Sequence, residues 1–161
     1  MRVGIGYDLH RFRDPPEGTL RLGGVEVPGA PALEGHSDGD ALIHAVIDAI
    51  LGAAGEGDIG RHFPPGDTTT RGIDSRELLK RAHKLVAARG FTVQNVDATV
   101  IAERPRLAPH IDAMRESIAI VLGLPHGRVN VKATTNEGAD EVGSGRAVAA
   151  MAVALLEEDV P

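Results

Sequence analysis

Asp8 and His10 stand two apart at the end of "RVGIGYDLH". In extended chain, positions i and i+2 project to the same side, so this carboxylate and imidazole aim at one point. Two donors do not close a metal site; a third from elsewhere gives a tetrahedral zinc with one position open to a substrate oxygen. His44 is the natural third donor, because it lies alone in the apolar run "ALIHAVIDAILGAA" and a buried imidazole needs a partner. The plainer alternatives are a chance D-x-H pair and a satisfied core histidine. In a chain with no cysteine, any metal must fall to His, Asp and Glu.

His44 belongs to a row. His36, Asp40, His44 and Asp48 recur every fourth position, which on a helix is one face. With a rise of ~1.5 Å per residue, Asp40 and Asp48 lie roughly 12 Å apart and cannot share a metal. Asp40 falls at the third position of a Ser37–Asp40 capping box, so it is either a helix-start charge or a catalytic acid. His36 precedes the helix, as a solvent-exposed loop histidine or as a donor suited to phosphate. Asp48 is deep in the helix, and a structural bond to backbone or histidine accounts for it.

A second cluster, "NVKATTNEGADEVGSGR", follows a strand. Its Lys132, Thr134, Thr135 and Glu137 combine a cation, hydroxyls and a carboxylate. Such a strand end could ligate phosphate, with the carboxylate holding Mg²⁺ or Mn²⁺. Read alone, it is a turn after a strand. G-x-x-x-x-G-K-[ST] does not occur, and the G-x-G-x-x-G in "GEGDIG" (55–60) follows the apolar helix rather than a strand, so the common nucleotide folds have no support.

The elements that must position these groups follow from periodicity and turn residues. "RVGIGYDLH" reads as a strand, and so does "LRLGGVEV" (20–27), before Pro28 and Pro31 break the chain. The apolar helix runs to about Ala54, and 55–72 is a long glycine- and proline-rich loop of the functional kind. Asp74 caps a second helix that ends at Gly90, amphipathic as a surface helix should be. A strand over 92–102, a helix over 109–123 and a strand over 128–134 make a β-α-β unit. In the tail "GRAVAAMAVALLEE", alanine content favours helix while alternation also fits a strand; composition by itself decides for helix.

The 161 residues suit one domain. A net charge of −6 and few aromatics, one Tyr and three Phe, argue against nucleic acid. No apolar run spans a membrane and the start lacks a signal-peptide pattern, which makes a cytoplasmic protein the expectation.

In order along the chain, "GYDLHRF", "LEGHSDGDALIHAVIDAILGAAGEGDIGRHFPP", "IDSRELL", "NVDATVIAERPRLAPHI" and "NVKATT" resemble the 2-C-methyl-D-erythritol 2,4-cyclodiphosphate synthase family. The resemblance implies an α/β (α+β) fold, a single domain over 1–161. Its mixed β-sheet would be covered by helices on one face and contain ferredoxin-like β-α-β elements. It also implies a homotrimer with active sites between subunits, and it makes the tail a strand. The implied reaction converts 4-diphosphocytidyl-2-C-methyl-D-erythritol 2-phosphate to the cyclic diphosphate and CMP.

By matching motif, Asp8, His10 and His44 become zinc ligands, with Asp8, Leu9 and His10 also at the substrate. His36 and Ser37 face the methylerythritol phosphate, and His36 and Thr135 stabilise the transition state. Asp58 and Gly60 hold the ribose, Ile59 and Phe63 are further substrate contacts, and Asp67 meets the methylerythritol hydroxyls. Ala102, Glu103, Arg104, Pro105, Arg106, Leu107 and Ala108 read cytosine, largely through backbone. Lys132, Thr134 and Thr135 sit at the diphosphate, and Glu137 binds a second divalent ion, Mg²⁺ or Mn²⁺. Two departures stand out: Pro65 replaces the usual acid after "FP", and the family's channel Phe and Arg become Glu141 and Ser144, with Arg146 displaced along the chain. The rival expectations are a metal-dependent phosphohydrolase and a non-catalytic trimeric diphosphate-binding protein.

Overall fold

The computed structural model describes residues 1–158. After β1 (Arg2–Arg11) come a short hairpin, β2 (Leu20–Leu22) and β3 (Val25–Val27), and the helices α1 (Ala41–Ala54), α2 (Ile59–His62) and α3 (Ser75–Ala88). The second half alternates β4 (Phe91–Ile101), α4 (Ile111–Leu122), β5 (Val129–Thr134), the single turn α5 (Asp140–Gly143) and β6 (Ala147–Glu158). Four strands form a mixed sheet in the order β1-β6-β4-β5. β6 is antiparallel to both neighbours, and β4 and β5 are parallel across α4, the expected β-α-β unit. β1, β4 and β5 therefore run the same way, and their C-terminal ends lie at the same end of the sheet.

Helix α1 lies on β1 and β6, and the contact is unusually close. A Cβ on Gly4 would sit 2.0 Å from the Ala49 carbonyl oxygen, and one on Gly6 would sit 1.9 Å from that of Ala45. Only glycine permits this approach. Across the ladder, Gly4 and Gly6 pair with Ala154 and Ala152, so small residues of both strands form the bed on which α1 rests. Asp8 and His10 continue the same helix-facing alternation, and the helix that needs the glycines thereby carries His44 to them. Pressed between the sheet and α3, α1 is buried except at Asp48 and Gly52. That explains its lack of a charged outer face. α3 buries only Ser75, Leu78, Leu79, Ala82 and Val86, as its pattern predicts.

On the other face, among the described residues, the only helical cover is the single turn α5, whose Val142 packs on Ile101, Ala147 and Ala149 at one end of the sheet. Val3, Ile5, Tyr7 and Leu9 on β1, with Met151 and Val153 on β6, form an uncovered apolar stripe; Val3 is 67% and Ile5 64% exposed.

Four local readings are corrected. The tail is strand β6, not the helix its alanines favour. A difference of at most ~0.7 kcal/mol per residue in helix propensity yields to ladders on both sides and to the requirement for small side chains under α1. Residues 20–27 are two strands, because Gly23 and Gly24 both take positive φ (61° and 76°) and turn the chain back in a two-residue hairpin. The Ser37–Asp40 capping box does not form; Asp40 itself is the N-cap and its side chain accepts from the Ile43 amide. The long loop contains α2 and a 3₁₀ turn at Thr68–Thr70. Asp74 caps α3 by accepting from the Arg76 amide, as expected.

Candidate metal centre and substrate pocket

Asp8, His10 and His44 bring their ligand atoms within 4.8 Å of one another. Asp8 Oδ2 lies 2.7 Å from His10 Nε2 and 2.9 Å from His44 Nδ1, and the two ring nitrogens are 3.1 Å apart. Two imidazoles and a carboxylate converging with the fourth direction open are a donor set that fits a divalent ion of the zinc type. Burial opposes ionisation of Asp8, but hydrogen bonds from both histidines and their positive field outweigh it, leaving its pKa well below the carboxylate range. Burial likewise disfavours charge on His44; the bond to Asp8, its charge and those of Asp40 and Asp38 more than offset this and raise the pKa. A bound cation would replace the proton this cluster otherwise attracts.

The polar row on α1 resolves into separate tasks. Asp40, wholly buried, accepts from the amides of Gly23 at 2.9 Å, Gly24 at 2.7 Å and Ile43 at 3.0 Å, fastening the β2–β3 turn to the helix start. Burial and then Asp38 push its pKa up, against those three amides. Asp48 accepts from the Ile59 amide at 2.7 Å and so anchors the "DIG" turn. Desolvation raises its pKa too. His36 donates through Nε2 to the Asp67 carbonyl at 2.8 Å, tying the helix entrance to the loop opposite.

A cavity of about 270 Å³ opens beside the cluster, lined by Asp8, His10, His36, Ser37, His44, Ile59, Gly60, Phe63 and Pro65, with Thr70 and Leu78. Thr70 and Leu78 carry no sequence signal beyond ordinary capping and core patterns. Asp58 lies outside this lining and accepts from the Arg61 amide at 2.9 Å, capping α2. Asp67 directs its carboxylate to Thr69, whose amide and hydroxyl donate at 2.8 and 2.7 Å, while Leu9 points to the uncovered sheet face.

The other predicted residues do not line this cavity. In the segment from Ala102 to Ala108, the side chains of Ala102 and Leu107 are buried, while Glu103, Arg104, Arg106 and Ala108 are exposed and Pro105 is partly buried. Lys132 pairs with Asp97, whose pKa that bond lowers. Thr134, Thr135 and Glu137 are at the far end of β5, where the Glu137 amide donates to Thr135 Oγ1 at 3.2 Å. At the altered segment, Glu141 meets Arg146 at 2.7 Å and Arg11 at 3.7 Å. These three line a separate cavity of about 740 Å³ with Phe12, Arg13 and Arg104.

Fold and site together define a mixed-sheet α+β protein with a pocket, between an edge strand and a buried helix, whose three donors fit a divalent metal. The model of the YgbB family matches residues 1–157, and the chain belongs to that family. It is 57% identical to a 2-C-methyl-D-erythritol 2,4-cyclodiphosphate synthase of Gloeobacter violaceus, over 98% of this chain and 96% of that one. The bifunctional IspDF of Campylobacter jejuni superposes with a TM-score of 0.92 at 40% identity, covering 98% of this chain and 42% of that one. A CDP complex of Plasmodium falciparum IspF gives 0.84 at 32% identity, covering 99% of this chain and 97% of that one.

Proposed function

We propose that the chain converts 4-diphosphocytidyl-2-C-methyl-D-erythritol 2-phosphate into 2-C-methyl-D-erythritol 2,4-cyclodiphosphate and CMP. It is then a cyclising phosphorus–oxygen lyase of non-mevalonate isoprenoid synthesis, acting in the cytoplasm. The observation that carries this reading is the convergence of Asp8, His10 and His44 in a pocket that also contains His36 and Ser37.

In this reaction the substrate's own 2-phosphate oxygen forms the new bond to the β-phosphorus. The bond from that phosphorus to the bridging oxygen breaks, and CMP leaves with the oxygen. The protein needs no nucleophile of its own; it must fold one anion back on another. A zinc-type ion on Asp8, His10 and His44 and a second divalent ion, Mg²⁺ or Mn²⁺, at Glu137 supply charge neutralisation when bound. His36, its Nε2 hydrogen held by the Asp67 carbonyl, is oriented towards the methylerythritol phosphate with Ser37. The Glu137 amide satisfies Thr135 Oγ1 and leaves the hydroxyl hydrogen for a phosphate oxygen. Ile59 and Gly60, anchored through Asp48, meet the ribose with Asp58.

The reading is completed by a homotrimer. β1 and β5 are opposite edges of the sheet, three strand spacings or ~14 Å apart. One chain therefore does not join His44 to Thr135 across a single diphosphate; a neighbour supplying the β5 end does. The uncovered stripe of Val3, Ile5, Tyr7, Met151 and Val153 supports such an assembly. Phosphorus NMR of the protein with substrate, Mg²⁺ and Zn²⁺ tests the proposal. Cyclic diphosphate with CMP is the expected product; open-chain phosphates would make the chain a hydrolase, and no turnover would make it a binding protein.

A further inference from the structure

At its other ring nitrogen, His44 Nε2 faces two hydroxyls at 3.0 Å, those of Ser37, which also lines the cavity, and Ser75. Ser75, the first residue of α3, is fully buried. Its Oγ lies 2.5 Å from Asp38 Oδ1, and its amide donates to Asp38 Oδ2 at 3.0 Å. The Asp40 amide adds a further donor to Oδ1 at 3.2 Å. Every group around the Asp38 carboxylate is thus a donor, and neither oxygen has a place for an amide nitrogen.

A serine hydroxyl has one hydrogen, and beside an acceptor-only carboxylate it must point there. Ser75 Oγ then turns its lone pairs to His44, and a bare Nε2 at 3.0 Å would set lone pair against lone pair. Nε2 must carry the hydrogen and donate it. The nitrogen left to meet a cation is Nδ1, the one that faces Asp8 and His10.

We infer that Asp38 and Ser75 are positioning residues that form a carboxylate–serine–histidine relay, holding the hydrogen of His44 on Nε2 and dedicating Nδ1 to the metal. The hydroxyl stands where a metal-bound histidine ordinarily finds a carboxylate or carbonyl. This rests on the proposed metal site but not on the identity of the substrate. The relay also accounts for the abrupt turn Ser37-Asp38-Gly39-Asp40 and for the position of α3, whose first residue reaches a helix that starts 34 positions earlier in the chain.

The test uses the full-length protein. The zinc dissociation constant is measured by competition with a chromophoric chelator for wild type, Ser75→Ala and Asp38→Asn, with thermal unfolding of the metal-free proteins as a control for fold. Nitrogen-15 NMR of the imidazoles in zinc-loaded wild type reads the hydrogen directly and needs no variant. The expected results are a one-bond hydrogen coupling on His44 Nε2 and zinc binding 10–100-fold weaker in both variants. A bare Nε2 in zinc-loaded wild type overturns the relay while leaving the metal site standing. Zinc affinity within twofold of wild type in a folded Ser75→Ala protein overturns it equally. Wild type that binds no zinc overturns both the relay and the metal reading beneath it.

Discussion

Asp8, His10 and His44 come from two elements locked together at Gly4 and Gly6, whereas Lys132, Thr134, Thr135 and Glu137 stand on an edge strand and the exposed loop after it. The first group is finished inside one chain: each side chain has partners, and a second polar layer stands behind His44. The second group is largely exposed, and Lys132 is occupied by a surface ion pair with Asp97. The contrast teaches that the three candidate metal donors are brought together within the folded subunit itself. Closing the site over a diphosphate is a property of the assembly proposed above.

The sharpest way to break this contrast is to remove its completed half. His44→Ala deletes a donor from the buried cluster, and turnover should fall at least ~10³-fold with loss of tight zinc binding; equilibrium dialysis beside the phosphorus NMR assay checks both. Residual activity above a tenth of wild type would detach the metal cluster from the chemistry. Next in size is the double substitution Ile5→Glu and Val153→Glu, which sets carboxylates on the uncovered stripe where the two residues pair across β1 and β6. Analytical ultracentrifugation should show a monomer, turnover should drop ~100-fold, and zinc affinity should remain. Loss of zinc binding in a folded monomer would contradict a self-contained metal half.

A smaller effect is expected from Asp48→Ala, which leaves the Ile59 amide without its acceptor at the cavity wall. One such bond contributes about 1 kcal/mol, so KM should rise several-fold with kcat nearly kept, as steady-state kinetics would read. Acidification should act more gently still. The pKa of His44 is raised, so its imidazolium persists above the ordinary histidine range and must release a proton to take a cation. Zinc affinity should therefore fall as pH drops through that raised value and level off above it. Affinity that rose on acidification would reverse the sign and remove Asp8 as the group responsible.

Chemistry-bearing residues were legible in the sequence where one local rule governed them. The two-residue spacing of Asp8 and His10 puts both on one side of a strand, and a histidine in an otherwise apolar helix demands a partner; the structure brings all three together. The surface helix from Asp74, the β-α-β unit and the structural bond of Asp48 to backbone followed equally from periodicity and capping. The family's motifs, covering nearly the whole chain, corrected the tail to a strand where composition had favoured helix.

What periodicity and composition could not supply was the setting in which a residue type is used. The alanines of β6 serve as strand because β1 and β4 flank them and α1 presses on them, a competition of long-range terms that outweighs local propensity. Asp40 became the N-cap, and Ser37 was drawn to His44, because the hairpin turn at Gly23 and Gly24 offers its amides to Asp40 from seventeen and sixteen positions away. Ser75 lies 31 positions from His44, and no spacing rule pairs them. Sequence alone thus determined which donors exist and which faces they share. Only the tertiary structure decided what each donor meets, since a buried hydrogen bond depends on the approach of groups that local pattern does not relate.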